Sequence, residues 1–448
     1  MNNMRFLAIA RPIPFLAPAI ALVALSSAAP ATLGAQLITI RTVPVASGDQ
    51  FLTAPSATLG LGGIRFAIDD SIADAWSNPA KGVFVTESAL LGSPAFYGIY
   101  QSSDGGGAKT LPITALLKGG HWFGGMSMAL QHVANQGPGI DQGPGIDESS
   151  RNLYGRGYVG RKVGRAGWSV GAAMSTAGLN AMDRVDLLYG GAAQRIDQRG
   201  SLTDVRAGAY RTGEGDRIGF TVVHNRVSMA HYVTYFDRMR DSAGVESRIR
   251  RDETNEDRTR TWAGQFEWTR RLPAPGWRIG ISVSTNYKSH PKIPNYQIQN
   301  IPRDPGTTWA HELGLGVARQ RGSTTFGIDV AFQPIRSHTW QEAEAPVEAA
   351  GGTLRAGDKT IENRFDFANV MFRIGLSHEY DRVGIQWGVG VRSYEYRLDQ
   401  QDHVDGTTRD QFESWMEWTP SLAVKFGLSD TDVQYTTRVT AGTGTPSI

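Results

Sequence analysis

What most constrains this chain is one repeated pattern. Apolar and polar residues alternate with period two, and the connections between these runs alternate in length. The clearest run is Trp277 to Lys288, with Trp277, Ile279, Ile281, Val283 and Tyr287 on one face and Arg278, Gly280, Ser282, Ser284, Asn286 and Lys288 on the other. Period two is the geometry of a strand. The pattern returns in Trp309–Val317, Phe326–Phe332, Val370–Leu376 and Val383–Val391, where glycine and charged residues such as Glu312, Asp329 and Arg373 share the second face. One such strand suits a soluble sandwich as well as a barrel, so the connections decide. Short turns fall near 118–120, 164–167, 213–216, 273–276, 321–323, 381–382 and 429–430; long loops fall near 136–151, 178–200, 237–258, 289–306, 334–361 and 399–411. Short turns at one end and long loops at the other are the arrangement of an outer-membrane barrel, and a soluble sandwich has no reason to segregate them.

Composition agrees. The 448 residues include 53 Gly, 11 Trp and 14 Tyr but no Cys, which excludes a disulfide framework and a lipid-anchored cysteine. Arg5 and Arg11 precede an apolar stretch, Phe15 to Leu25, that is too short to span a bilayer; this predicts a signal peptide over 1–35, cleaved after Leu33-Gly34-Ala35, with Ser26-Ser27-Ala28 as the alternative. Removing both arginines takes the formal charge from +2 to 0, which gives no push toward nucleic acid. No later stretch reads as a membrane helix, and among strand structures only a closed barrel satisfies its backbone in lipid. Trp122, Phe123, Trp168, Trp277 and Tyr380 flank short turns and predict an aromatic girdle at the periplasmic interface.

The stretch Thr58 to Val83 differs from everything after it. Gly60, Gly62 and Gly63 open it, Asp69 and Asp70 stand where a helix N-cap belongs, Ile72 to Trp76 supply a short apolar turn, and Asn78-Pro79 stops it. The pattern Gly60-Leu61-Gly62-Gly63, Asp69-Asp70, Asn78-Pro79-Ala80 resembles the N-terminal hatch of the FadL/TodX family of outer-membrane transport barrels, and also the similar barrels of the type IX secretion shuttle. It departs from them at Lys81-Gly82-Val83, where those families read Gly-Leu. The resemblance covers only this stretch and implies a 14-stranded barrel; counting strands from Glu87 to Ala441 gives 14 or 15, the odd one lying before Gln101 or at Val433–Ala441.

Other features carry less. QGPGID occurs twice in tandem from Gln136 to Asp147, and Asp141 and Asp147 are too few for a calcium loop, so an insertion in a tolerant loop is the reading. Loop 237–258 is dense in both charges, and its arginines, Arg248, Arg250 and Arg251 among them, suit lipopolysaccharide phosphates or plain solvent. His311-Glu312 and His378-Glu379 lack the second histidine of a zinc motif, and no nucleophile elbow is present.

The sequence therefore predicts an all-β transmembrane antiparallel barrel of about 14 strands with an N-terminal hatch: signal peptide 1–35, hatch 36–83, barrel 84–448. By resemblance it is an outer-membrane transporter of hydrophobic small molecules such as long-chain fatty acids or aromatic hydrocarbons, moved by passive diffusion past the hatch. The alternatives are a secretion or assembly barrel and a general porin. The hatch residues are Gly60, Gly62, Gly63, Asp69, Asp70, Asn78 and Pro79, with the carboxylates free to latch onto wall arginines. No catalytic residue, metal or cofactor is predicted. The expected partners are outer-membrane lipid, lipopolysaccharide and a hydrophobic ligand, with no nucleic acid, for a monomer.

Overall fold

The computed structural model describes residues 53–100, 105–136, 147–164, 166–181, 193–240, 246–290 and 305–443. The signal peptide, the start of the hatch region, most of the duplicated loop, including Asp141, and the last five residues lie outside them.

Nearly all of the rest is one 17-stranded antiparallel sheet. Strands β1 (Ala89–Gly92) and β2 (Ala95–Tyr100) lie end to end against β3 (Gly105–Gly119), separated at Ser93-Pro94, where proline removes a ladder donor. Then follow β4 (Trp122–Gln136), β5 (Asp147–Val163), β6 (Trp168–Leu179), β7 (Ala193–Thr212), β8 (Asp216–Arg240), β9 (Glu246–Arg271), β10 (Trp277–His290), β11 (Gly306–Arg321) and β12 (Thr324–Glu342), each antiparallel to the one before. A separate hairpin of β13 (Val347–Ala349) and β14 (Gly352–Leu354) interrupts the order. The ladder resumes with β15 (Lys359–Tyr380), β16 (Val383–Asp402) and β17 (Thr407–Gly427), and ends on β18 (Asp432–Arg438) and β19 (Ala441–Thr443), both paired to β17. The segments before Gln101 and after Val433 are thus both strands, and the sheet exceeds the expected count of about fourteen.

Every short turn lies where the sequence puts it. Gly120, Gly164, Gly276 and Gly322 adopt positive φ in four of them. The long connections are a different matter. β8 and β9 run 25 and 26 residues, so most of 237–258 is strand, with only 241–245 outside the description. β12 and β15 likewise absorb much of 334–361, and β16 meets β17 across a turn at 403–406. About 9–11 tilted residues cross a bilayer, so these strands continue well beyond it.

The two faces are inverted relative to a soluble protein. Leu111, Met128, Leu153, Leu313, Val330 and Phe372 are exposed on the outside, whereas Thr114, Gln131, Asn152, Asn225, Glu312 and Asp329 are buried on the inside. On β11 the outward face is bounded by Trp309 and Arg319, the latter seated on the Trp277 ring. The ten residue-to-residue steps from Trp309 to Arg319 are about 33 Å of strand, or about 25 Å along the membrane normal at a tilt near 40°, the height of an outer-membrane apolar band. His224, Trp262, Tyr287 and Trp309 stand in register on β8 to β11 and form an aromatic edge on the long-strand side. Trp122 and Tyr380 are exposed on the short-turn side, as expected of a girdle. Phe123 is not: it is buried against Tyr158 and Trp76, because its neighbour Trp122 already takes the outward position.

Candidate functional site

The described part of the N-terminal segment, residues 53–88, runs along the inside of the sheet and touches every wall strand from β4 to β12 and from β15 to β18. Ser421 on β17 hydrogen-bonds Gly60 and Gly62; Gly62 lies on β15 and β16; Arg65 meets β11; Asp69 meets β8 and β10; Asn78 and Pro79 lie on β6 and β7; Gly82 lies on β4 and β5. Gln434 on β18 donates to the Ser56 carbonyl, 3.5 Å, and Arg156 on β5 reaches Thr53. The segment therefore lies along the inner face of these strands.

Its path follows from its residues. Leu59–Leu61 form one 3-10 turn, which Gly62 ends at φ 70 in the left-handed region; Gly63 continues at φ 79. Gly60 is buried against Ala423 and Gln386, with no room for a Cβ. The Asp70 carboxylate is a hub: it accepts from Ser56 Oγ at 2.7 Å, Thr58 Oγ1 at 2.9 Å, and the backbone N–H groups of Ile72 and Ala73 at 3.0 and 2.9 Å. That is the capping role read from the sequence, one turn ahead of helix α1 (Asp74–Ser77). Asn78 breaks α1 in an extended conformation, and its Oδ1 accepts from Ala80 N at 3.1 Å. Pro79 then opens a 3-10 helix, Pro79–Phe84. Asn78 Nδ2 donates to the Phe220 carbonyl of β8, 3.3 Å.

The wall yields where this segment crosses it. Gly171, Gly208, Gly280, Gly375 and Gly388 face inward, and a Cβ on any of them would collide with Pro79, Asn78, Phe66, Leu61 or Gly62. The glycine on the inner face is therefore room for the segment rather than open lumen.

Ion pairs join segment to wall. Asp69 Oδ2 accepts from both Arg217 and Arg278, the latter at 2.9 Å. Arg65 pairs with Glu312, which also accepts from Gln333 at 2.6 Å. Asp329 accepts the backbone N–H groups of Arg65 and Phe66, at 2.7 and 3.2 Å. Lys81 Nζ lies between Asp74 (3.2 Å) and Glu267 of β9 (2.9 Å). Burial pushes the Asp74 carboxyl up to about 7; Lys81 opposes the shift, and Glu267, Asp70 and Asp69 add to it. Burial works against the Lys81 charge, yet Asp74 and Glu267 beside it hold its ammonium well above the usual lysine range.

Of the sequence-predicted residues, Asp69 is thus brought to wall arginines, and Asp70 serves its own segment instead. Sequence reasoning missed the partners Arg65, Lys81, Arg217 and Glu267. It had put Arg278, Glu312, Asp329 and Arg373 on the correct face, but periodicity gives a face and not a partner. His378 Nδ1 lies 2.8 Å from Thr324 Oγ1, and His311 stacks near Trp309. Among the described residues no group of three or more side chains of metal-ligating type converges.

No family model matches the chain, and no curated protein matches it. Solved structures align with it weakly. The copper transporter OprC aligns at 10% identity and TM-score 0.39 over 80% of this chain and 63% of its own. The ferric-catecholate import receptor Fiu from E. coli K12 aligns at 9% and 0.35, over 78% and 74%. The ferric enterobactin receptor PfeA from Pseudomonas aeruginosa aligns at 6% and 0.37, over 78% and 66%. The chain spans less than two thirds of the length of OprC. At these values no cargo or mechanism transfers.

Two expectations are corrected. The FadL/TodX resemblance does not hold: no family model matches, and the solved structures that align are a copper transporter and ferric-siderophore receptors. Passive diffusion of fatty acids or aromatic hydrocarbons falls with it, and the secretion and porin alternatives gain nothing. The location stands. The protein is an outer-membrane β-barrel of the Gram-negative type, with large apolar side chains exposed on its outer face.

Proposed function

We propose that the protein is a gated passage for polar solutes across the outer membrane, and that residues 53–88 are its hatch. The observation that carries this reading is Asp69 held between Arg217 and Arg278. Ionic contacts between a segment and a wet wall can be exchanged for water and ions, so a hatch held by them can move without unfolding the barrel. The strands keep their own ladder in either position. The lining favours solutes that hydrogen-bond, because the hatch in moving leaves charged groups such as Arg278, Glu312 and Asp329 to be met by the solute.

Proteoliposome uptake tests it. Purified barrel is reconstituted, and entry of a labelled amino acid, dicarboxylate and disaccharide is followed beside an alkyl probe. The Arg217→Gln/Arg278→Gln variant should pass at least one polar solute faster than the wild type and leave the alkyl probe unchanged. Equal polar flux in the two proteins, or entry of the alkyl probe alone, overturns the proposal.

A further inference from the structure

Along the upper edge of the apolar band the outward face changes from leucine and tryptophan to cations. Leu111, Leu130 and Leu153 stand directly opposite one another on β3, β4 and β5, and all are exposed. Two residues further toward the long-strand end, Lys109 faces His132 and His132 faces Arg151, again all exposed. The arrangement recurs on β8 and β9. His224 packs against Trp262, ring centroids 4.2 Å apart and the rings tilted by 33°, and one step above them Arg226 directly faces Arg260.

Directly opposed residues on one sheet face have Cβ atoms about 4.5–5.5 Å apart, and like charges there are destabilising. Other arginines of the outer face meet carboxylates. Arg258 meets Glu256 at 2.7 Å, Arg336 meets Asp366 at 3.2 Å, and Arg364 meets Glu362 at 3.0 Å. Among the described residues Lys109, His132, Arg151, Arg226 and Arg260 have no acidic partner, and Arg226 and Arg260 have no neutral residue between them. Arg226 set against Arg260, and Lys109 and Arg151 on either side of His132, stand just above an apolar belt and are matched by an anion that lies at that depth of the membrane.

We propose that these two rows bind the phosphate groups of phosphorylated glycolipid in the outer leaflet, with its acyl chains lying down the leucine and tryptophan faces beneath. An arginine pair at that spacing can share one phosphate through several charge-assisted hydrogen bonds, and the rigid strands hold the pair in place beforehand. The rim arginines already neutralised by carboxylates take no part.

Native mass spectrometry tests it on the folded, heat-modifiable barrel. The wild type is taken from phosphatidylcholine nanodiscs doped with diphosphoryl lipid A or with the same lipid dephosphorylated. The diphosphoryl form should be retained about tenfold better, and less so as salt rises. Lys109→Gln/Arg151→Gln and Arg226→Gln/Arg260→Gln should each remove one retained lipid, whereas Arg258→Gln should remove none. Equal retention of the two lipids by the wild type, which needs no variant to fold, overturns the proposal. So does equal loss from Arg258→Gln, because a general charge effect would then suffice.

Discussion

Replacing Asp69 by asparagine isolates the hatch contact from the rest of the lumen. Asp69 Oδ2 accepts from two guanidiniums whose side chains are 20% and 24% exposed. With asparagine there, Arg217 and Arg278 face one another across a neutral amide. Breaking a fully buried pair by removing one partner costs about 3–5 kcal/mol. Partial exposure returns roughly half of that to solvent, which leaves about 1.5–2.5 kcal/mol. The cost falls on the seated hatch alone, since both arginines are free to hydrate once it leaves. The ratio of open to closed should therefore rise about 10- to 60-fold. Single-barrel recording in planar bilayers reads this ratio directly. Asp69→Glu should keep most of the closure, and adding Arg217→Gln/Arg278→Gln to Asp69→Asn should add little, because the pair is already broken. Asp70→Asn is the contrast, since it loosens the internal hub and leaves both wall arginines paired. An Asp69→Asn barrel that folds and opens within twofold of the wild type would refute the reasoning.

Opening should also respond to pH. Asp74 in the seated hatch has its pKa raised to about 7, above the 3.8 of a free aspartate, so the seated state holds the extra proton between those values. Closure is then strongest at low pH and is lost as pH rises through about 7, by at most about tenfold per unit for one proton. Conductance measured from pH 5 to pH 8 should rise, and Asp74→Asn should flatten the response. Gly388→Val should cost about 1–3 kcal/mol and lower the denaturation midpoint, because its side chain would occupy the Leu61–Gly62 backbone; Gly178→Val, with open space around it, should not. Leu313→Arg, on the exposed outward face near the middle of the band, should destabilise the folded barrel in vesicles by about 2–4 kcal/mol, read from urea titration of heat-modifiable migration.

The sequence was most legible where membrane and lumen impose opposite demands on one strand. Trp277 to Lys288 shows both faces, and the turns that follow such runs fall where glycine and aspartate mark them. Legibility ended where the strands left the bilayer. Above Trp262 the outward residues Arg260, Arg258 and Glu256 are charged, and the inward face is polar as well, so the apolar half of the alternation vanishes and the strand reads as a loop. Phe123 shows a different error. Trp122 and Phe123 are consecutive at the start of β4 and cannot both face lipid, and period two already sends one of them inward. The inner glycines were visible but ambiguous: emptiness and a close-fitting segment leave the same mark in a sequence.

The hatch motif was legible as shape and silent as to cargo. Asp70 satisfies backbone N–H groups of its own segment, Asn78 caps the next turn, and Gly62 permits a left-handed φ. Any chain that must fold a short, tightly turning segment against a wall needs these residue types for these reasons, whatever passes beside it. The wall groups that this segment meets lie outside the motif. Arg217, Arg278, Glu312 and Asp329 come from four separate strands, and they converge only because the ladder registers bring them under one segment. A family inferred from the motif brought a cargo with it, and neither the family nor the cargo stands. Moving those four wall positions, with the motif left intact, should change which solute passes.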